Sequence, residues 1–205
     1  MNVHQTPISD ALILEPRVFE DDRGFFLESY SERSFAEIGI QQRFVQDNHS
    51  CSKHGVLRGL HYQVEKPQGK LVRVVAGEVL DVFVDLRRSS PSFGRWYSAK
   101  LSDRNRLTAW VPVGCAHGFY VLSDFAHVLY KSTEFYYPEL ERTILWNDPD
   151  LQIHWEAESP LLCQGSTRCP VQRCRSLWLR NAWRRACTPW SCRANTLRSV
   201  RMQTR

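Results

Sequence analysis

Lys70-Leu71-Val72-Arg73-Val74-Val75 runs through Ala76-Gly77-Glu78 into Val79-Leu80-Asp81-Val82-Phe83-Val84-Asp85-Leu86. β-Branched and apolar residues crowd both arms, and a glycine sits between them. That pattern reads as two strands joined by a glycine turn. Working outward, 96–101, 107–111, 118–122 and 127–133 read as further short strands. The best helix candidate is Ser-Glu-Arg-Ser-Phe-Ala-Glu-Ile at 31–38, closed by Gly39. Many short strands at close spacing predict a mainly β chain, a jelly-roll barrel with a few short helices.

Composition bounds the rest. With 205 residues, 42% hydrophobic and 12% aromatic, the chain can bury one sizeable core and is not of a disordered class. Met1-Asn2-Val3-His4-Gln5 lacks the basic and apolar regions of a signal peptide, and no apolar run approaches a membrane span. A cytoplasmic protein with no membrane partner is therefore expected. Charge is unevenly placed. Ten of the 27 Lys and Arg, and none of the 22 Asp and Glu, lie in 161–205, so residues 1–160 are net negative beneath a strongly basic tail. Cysteine divides likewise: Cys51 and Cys115 precede the tail, which holds Cys163, Cys169, Cys174, Cys187 and Cys192. Two cysteines in the body suit a reducing compartment.

The expected boundary is thus a folded domain over 1–162 and an irregular Arg/Cys/Trp-rich tail over 163–205. Arginines beside Trp178, Trp183 and Trp190 have the chemistry to bind phosphates and stack bases. Yet 45 positions without one acidic residue resemble an aberrant terminus more than a selected surface, and nucleic acid is not an expected partner.

Two motifs carry the chemistry. Gly55-Val56-Leu57-Arg58-Gly59-Leu60-His61-Tyr62-Gln63 precedes the central strands, and Pro112-Val113-Gly114-Cys115-Ala116-His117-Gly118-Phe119 follows them. A histidine by an early strand and Pro-x-Gly-x-x-His on a later one resembles the cupin superfamily, in which both histidines point into the barrel mouth. Metal-binding cupins open with His-x-His, but here Gly59 takes the first position. His61, Glu65 and His117 would remain as ligands, and Glu65 beside Lys66-Pro67 reads as a loop residue. No metal and no cofactor are expected, which leaves His61 free to transfer protons near neutral pH.

A closer resemblance comes from an ordered series: Phe25-Phe26-Leu27-Glu28-Ser29, Phe44-Val45-Gln46-Asp47-Asn48-His49-Ser50, Val56-Leu57-Arg58-Gly59-Leu60-His61, Gln68-Gly69-Lys70-Leu71-Val72-Arg73-Val74, Gly77-Glu78-Val79, Trp110-Val111-Pro112, Ala116-His117-Gly118-Phe119, Leu129-Tyr130-Lys131 and Ile144-Leu145-Trp146-Asn147-Asp148. Over about residues 3–162 the chain resembles the dTDP-4-dehydrorhamnose 3,5-epimerases.

The resemblance implies a thymidine diphosphate 4-keto-6-deoxy sugar as substrate and inversion at C3 and C5, in the rhamnose branch of cell-surface polysaccharide synthesis. It makes His61 the general base, Tyr130 the acid on the opposite ring face and Lys70 the cation beside the enolate oxygen. Arg23, Glu28, Gln46, Asn48, Arg58, His117 and Glu141 fall at substrate-binding positions, and Tyr136 is placed to stack on the base. A homodimer is implied, in which an exchanged N-terminal region brings Arg23 and Glu28 to the neighbouring subunit. Inversion at one carbon, or sugar-nucleotide binding without turnover, are the alternatives.

One departure bears on activity. After Ser159-Pro160-Leu161-Leu162 the family continues Ser-Ala-Lys-Asp, whose Asp pairs with the catalytic histidine; here Cys163-Gln164-Gly165-Ser166 follows. The change has the pattern of a shifted reading frame and implies weakened turnover. Asp81 and Asp85 are the candidates to replace the missing partner.

Overall fold

The architecture follows from alternation: where every second side chain is apolar, a strand buries one face, and two such sheets close on one another. A computed structural model describes residues 1–157 and 159–162. Its strands in chain order are β1 (Asn2–Gln5), β2 (Leu12–Glu15), β3 (Val18–Asp21), β4 (Gly24–Leu27), β5 (Gln46–Lys53), β6 (Val56–Gln63), β7 (Lys70–Ala76), β8 (Glu78–Asp85), β9 (Trp96–Ser102), β10 (Thr108–Val111), β11 (Cys115–Val121), β12 (Phe125–Ser132), β13 (Glu141–Thr143) and β14 (Leu161–Leu162). A single α-helix among the described residues, α1 (Glu32–Glu37), starts at Ser31, whose side chain accepts from the Ser34 amide. A 3₁₀ turn covers Pro138–Leu140.

One sheet has the order β1-β2-β10-β7-β12-β5 and the other β13-β6-β11-β8-β9, with β14 alongside β6. Among the described residues, β3 and β4 pair only with each other. The expected jelly-roll strands are present, but as two facing sheets and not a closed barrel. β11 starts at Cys115, earlier than the sequence suggested, and so includes His117.

β7 and β8 correct the opening reading in one respect. They are joined at Gly77 but do not pair: β7 lies between β10 and β12, and β8 between β11 and β9. The glycine is a corner between sheets. Its φ is +82°, and a Cβ there would collide with the Phe125 carbonyl oxygen and sit 3.1 Å from Ala126 Cα.

Three apolar layers result. Val72, Val74, Ala109 and Val128 of the first sheet meet Val79, Phe83, Leu101 and Phe119 of the second between the sheets. On the outer side of the second sheet, Leu57, Leu60, Val82 and Val84 lie beneath Ile144, Leu151 and Trp155. On the outer side of the first, Leu12, Leu14, Leu71 and Trp110 lie beneath Phe35 and Ile40 of the α1 region. Both sheets thus have apolar backs covered by other segments, and their inner faces meet across the central core.

No helix among the described residues is long and apolar enough to cross a membrane. The expectations for the tail, residues 163–205, lie outside the described residues.

Candidate active site

A break in strand register builds the first wall. Along β11, Phe119 is opposite Arg58 and His117 is opposite His61, so two steps on β11 face three on β6. The extra residue changes the parity of β6. Leu57 and Leu60 both pack in the outer layer, and Arg58 and His61, three apart, both turn inward. Gly59 allows this at φ +127°, where a Cβ would run into Gly118 Cα and come within 2.9 Å of the His117 carbonyl oxygen.

His61 is half-buried, and its Nδ1 lies 3.1 Å from Thr143 Oγ1 and 3.6 Å from Glu141 Oε1. β13 places both partners, since Thr143 is opposite His61 and Glu141 is opposite Gln63. Burial lowers the His61 pKa below the ordinary imidazole value; Glu141 opposes the shift, and the charges of Lys70, His117 and Arg58 add to it. The ring is therefore neutral at pH 7, with one nitrogen available as a base. Beside it on the same sheet, buried His117 meets buried Asp81, Nε2 to Oδ1, at 2.7 Å.

The facing sheet supplies the second wall. Lys70 begins β7, and its ammonium is 5.9 Å from the centre of the Tyr130 ring on β12. Burial brings the Lys70 pKa down to about 8, against the pull of Glu141 and Asp81. Burial raises the Tyr130 pKa, helped by Glu141 and opposed by Arg58, so the phenol keeps its proton at neutral pH. Asn48 lies opposite Tyr130, and Gln46 opposite Ser132. The Gln46 amide donates to Asn48 Oδ1 at 2.8 Å, and Gln46 Oε1 accepts from the Tyr136 backbone N–H at 3.0 Å. Tyr136 Oη donates to Glu141 Oε2 at 3.1 Å, linking the two walls at their mouth. Arg58 is exposed, and its Nε donates to Ser52 Oγ at 2.9 Å.

Electrostatic interactions thus join His61, Lys70, Tyr130, Arg58, His117 and Glu141, with Gln46 tied to Glu141 through Tyr136 and Asn48 tied to Gln46; together they form the candidate cleft. Arg23 and Glu28 have other contacts. Arg23 is 90% exposed at the tip of the β3–β4 hairpin and pairs with Asp21 at 2.6 Å, while Glu28 accepts from Ser34 Oγ at 2.9 Å.

Neither aspartate named as a candidate partner for His61 pairs with it. Asp81 is engaged by His117, and Asp85 accepts from Arg87, Ser90 and Ser92. Both alternate inward along β8, but each is taken by a nearer partner. Glu65 is exposed in the loop after β6 at φ +37°, and no group of three or more metal-ligating side chains occurs among the described residues. Sequence reasoning missed Thr143 and the pairing of Asp81 with His117. The first lies on a three-residue strand without a distinctive motif; the second needs the β8–β11 register, Phe119 opposite Asp81, to be known.

Comparison with known proteins gives this cleft its context. Residues 5–170 match the family model for dTDP-4-dehydrorhamnose 3,5-epimerase. The chain belongs to this family. The dTDP-4-dehydrorhamnose 3,5-epimerase of Pseudomonas aeruginosa is 56% identical over 166 residues, which cover 80% of this chain and 92% of the relative. Among solved structures, the dTDP-6-deoxy-D-glucose-3,5-epimerase of Legionella pneumophila, in complex with dTDP-4-keto-L-rhamnose, aligns with a TM-score of 0.78 at 50% identity, covering 80% of this chain and 89% of that one. ChmJ, a 3'-monoepimerase from Streptomyces bikiniensis in complex with dTDP-quinovose, aligns at 0.79 with 32% identity, covering 86% and 91%. Proteins described as a 3,5-epimerase and as a 3'-monoepimerase thus both share this chain's fold.

Proposed function

We propose that the protein epimerises dTDP-4-dehydro-6-deoxy-D-glucose at C3 and C5 to dTDP-4-dehydro-L-rhamnose. A hydrogen on carbon next to a ketone becomes acidic enough to remove only when the enolate oxygen is stabilised. His61, neutral at pH 7, takes that proton through its free ring nitrogen. The electron pair moves into the ring and onto the C4 oxygen, where the Lys70 ammonium balances it. Tyr130 then gives its phenolic proton to carbon from the other face, and the configuration inverts; solvent restores both groups. The reading rests chiefly on base and acid standing on opposite sheets, so that a sugar ring between them meets each from a different side.

Arg58 and His117 suit the diphosphate, because arginine bridges two oxygens and a histidine held by a carboxylate presents an oriented N–H. Gln46, Asn48 and Glu141 suit the nucleoside, with Tyr136 at the mouth. Arg23 and Glu28 fit a homodimer in which the β3–β4 hairpin reaches the partner's cleft. In support, Phe19, Phe25 and Phe26 are 50%, 58% and 69% exposed on a hairpin that joins neither large sheet. We also place the enzyme in the cytoplasm with its activated sugar substrate; the free thiols of Cys51 and Cys115 suit a reducing compartment.

The test is proton NMR of the substrate in deuterated buffer. Deuterium should enter at C3 and C5, and His61→Asn should abolish both exchanges. Exchange at C3 alone would support the one-site alternative, which likeness to ChmJ keeps in view. Binding of thymidine diphosphate without exchange would mark a binder and refute the proposal.

A further inference from the structure

The base in the proposed reaction needs more than a suitable pKa. A neutral imidazole carries one N–H and one lone pair, and only the tautomer with its lone pair toward the substrate can accept a proton. We propose that Thr143 is a positioning residue that holds His61 as the Nδ1–H tautomer, leaving Nε2 as the basic nitrogen. The catalytic consequence rests on the epimerase reading; the tautomer does not.

Three observations carry the assignment. First, Thr143 Oγ1 is 3.1 Å from Nδ1, at hydrogen-bond distance. A hydroxyl can donate or accept, so this contact alone does not choose the tautomer. Second, Glu141 Oε1 stands 3.6 Å from the same nitrogen. A carboxylate faces an N–H favourably and a lone pair unfavourably, so its position selects the proton at Nδ1. Glu141 is itself held, since its other oxygen accepts from Tyr136 Oη at 3.1 Å. Third, register fixes the arrangement. Thr143 and Glu141 are two apart on β13, on one face, with Thr143 directly opposite His61. The glutamate favours the proton at Nδ1 only while the threonine holds that nitrogen toward it, so loss of the threonine frees the ring to turn and releases the tautomer.

A side chain that only filled space here could be replaced by valine, which has the same branched shape and no oxygen. Thr143→Val is therefore the test, with Thr143→Ser as the conservative control. Ring ¹⁵N–¹H correlation spectra of labelled protein without ligand, with His61 assigned through His61→Asn, report which nitrogen is protonated. Expected are Nδ1–H in the wild type and in Thr143→Ser, and Nε2–H or an exchanging mixture in Thr143→Val. Deuterium exchange into the sugar should fall about 10- to 100-fold in kcat for Thr143→Val with little change in KM, as for loss of other groups that orient a functional histidine, and recover in Thr143→Ser. Circular dichroism checks that each variant folds.

Wild-type His61 protonated at Nε2, or Thr143→Val with an unchanged tautomer, would overturn the assignment whatever the rates. Failure of the epimerase reading would look different: no wild-type protein would exchange deuterium, while the spectra would still report the tautomer.

Discussion

Replacing Gly59 by alanine tests whether the register break in β6 builds the site. At φ +127° an L side chain is strained, at a cost of about 1–3 kcal/mol. The added Cβ would also overlap Gly118 Cα and sit 2.9 Å from the His117 carbonyl oxygen. Backbone must move to admit it, and such overpacking costs about 1–3 kcal/mol more. Together the loss is about 2–6 kcal/mol from a stability that is typically about 5–15 kcal/mol. Urea unfolding followed by tryptophan fluorescence and far-ultraviolet circular dichroism measures it. Molecules that remain folded should relieve the clash by losing the extra residue's bulge, which would turn Arg58 and His61 toward opposite faces and abolish deuterium exchange. Gly118→Ala enters the same space from the other strand, with its Cβ 2.6 Å from the Arg58 carbonyl oxygen and 3.0 Å from Gly59 Cα. The double variant should therefore depart from additivity. A Gly59→Ala protein within about 0.5 kcal/mol of wild type, with an unchanged exchange rate, would refute the reasoning.

The pH dependence has two limbs. In the proposed reaction His61 acts deprotonated, and its pKa is lowered, so exchange should rise with pH through a value below the usual imidazole 6.5. Lys70, with a pKa of about 8, acts protonated in the same proposal, so exchange should fall as pH passes that value; Lys70→Met should slow the reaction and remove this alkaline limb in rate–pH profiles. Asp81→Asn exchanges the buried carboxylate beside His117 for an amide and should cost about 1–3 kcal/mol of stability, with weaker thymidine diphosphate binding by calorimetry; unchanged binding would count against His117 as a phosphate ligand. Serine at Phe25 and Phe26 together should shift the protein from dimer to monomer in light scattering, and a wild-type monomer would remove the exchanged-hairpin proposal.

How much was legible depended on whether a feature was local. Strand positions were readable because β-branched alternation is written into adjacent residues: 96–101 and 127–133 fall within β9 and β12 to about a residue. Ser31 and Gly39 marked the ends of α1 by their own chemistry. Pairing was not readable, since a glycine between two strands serves equally as a hairpin turn or a corner; Gly77 is the corner because Phe125 and Ala126 crowd it from another strand. Most candidate site residues were visible as chemically apt types inside ordered motifs, and the fold brings His61, Lys70, Arg58, His117 and Glu141 near one another. Their partners were not: Thr143 is 82 residues from His61 and Asp81 is 36 from His117, and each meeting is fixed by register.

The division of the cleft between two sheets gives the interior core a second consequence. Among the described residues, no backbone ladder joins the wall that carries His61 to the wall that carries Lys70 and Tyr130; the gap between them is set by side chains such as Phe83, Val72 and Val128 that wedge the sheets apart. Trimming that wedge would narrow or tilt the slot in which the sugar turns over. The shape of the slot is thus set as much by apolar residues far from any acid or base as by the polar groups that line it.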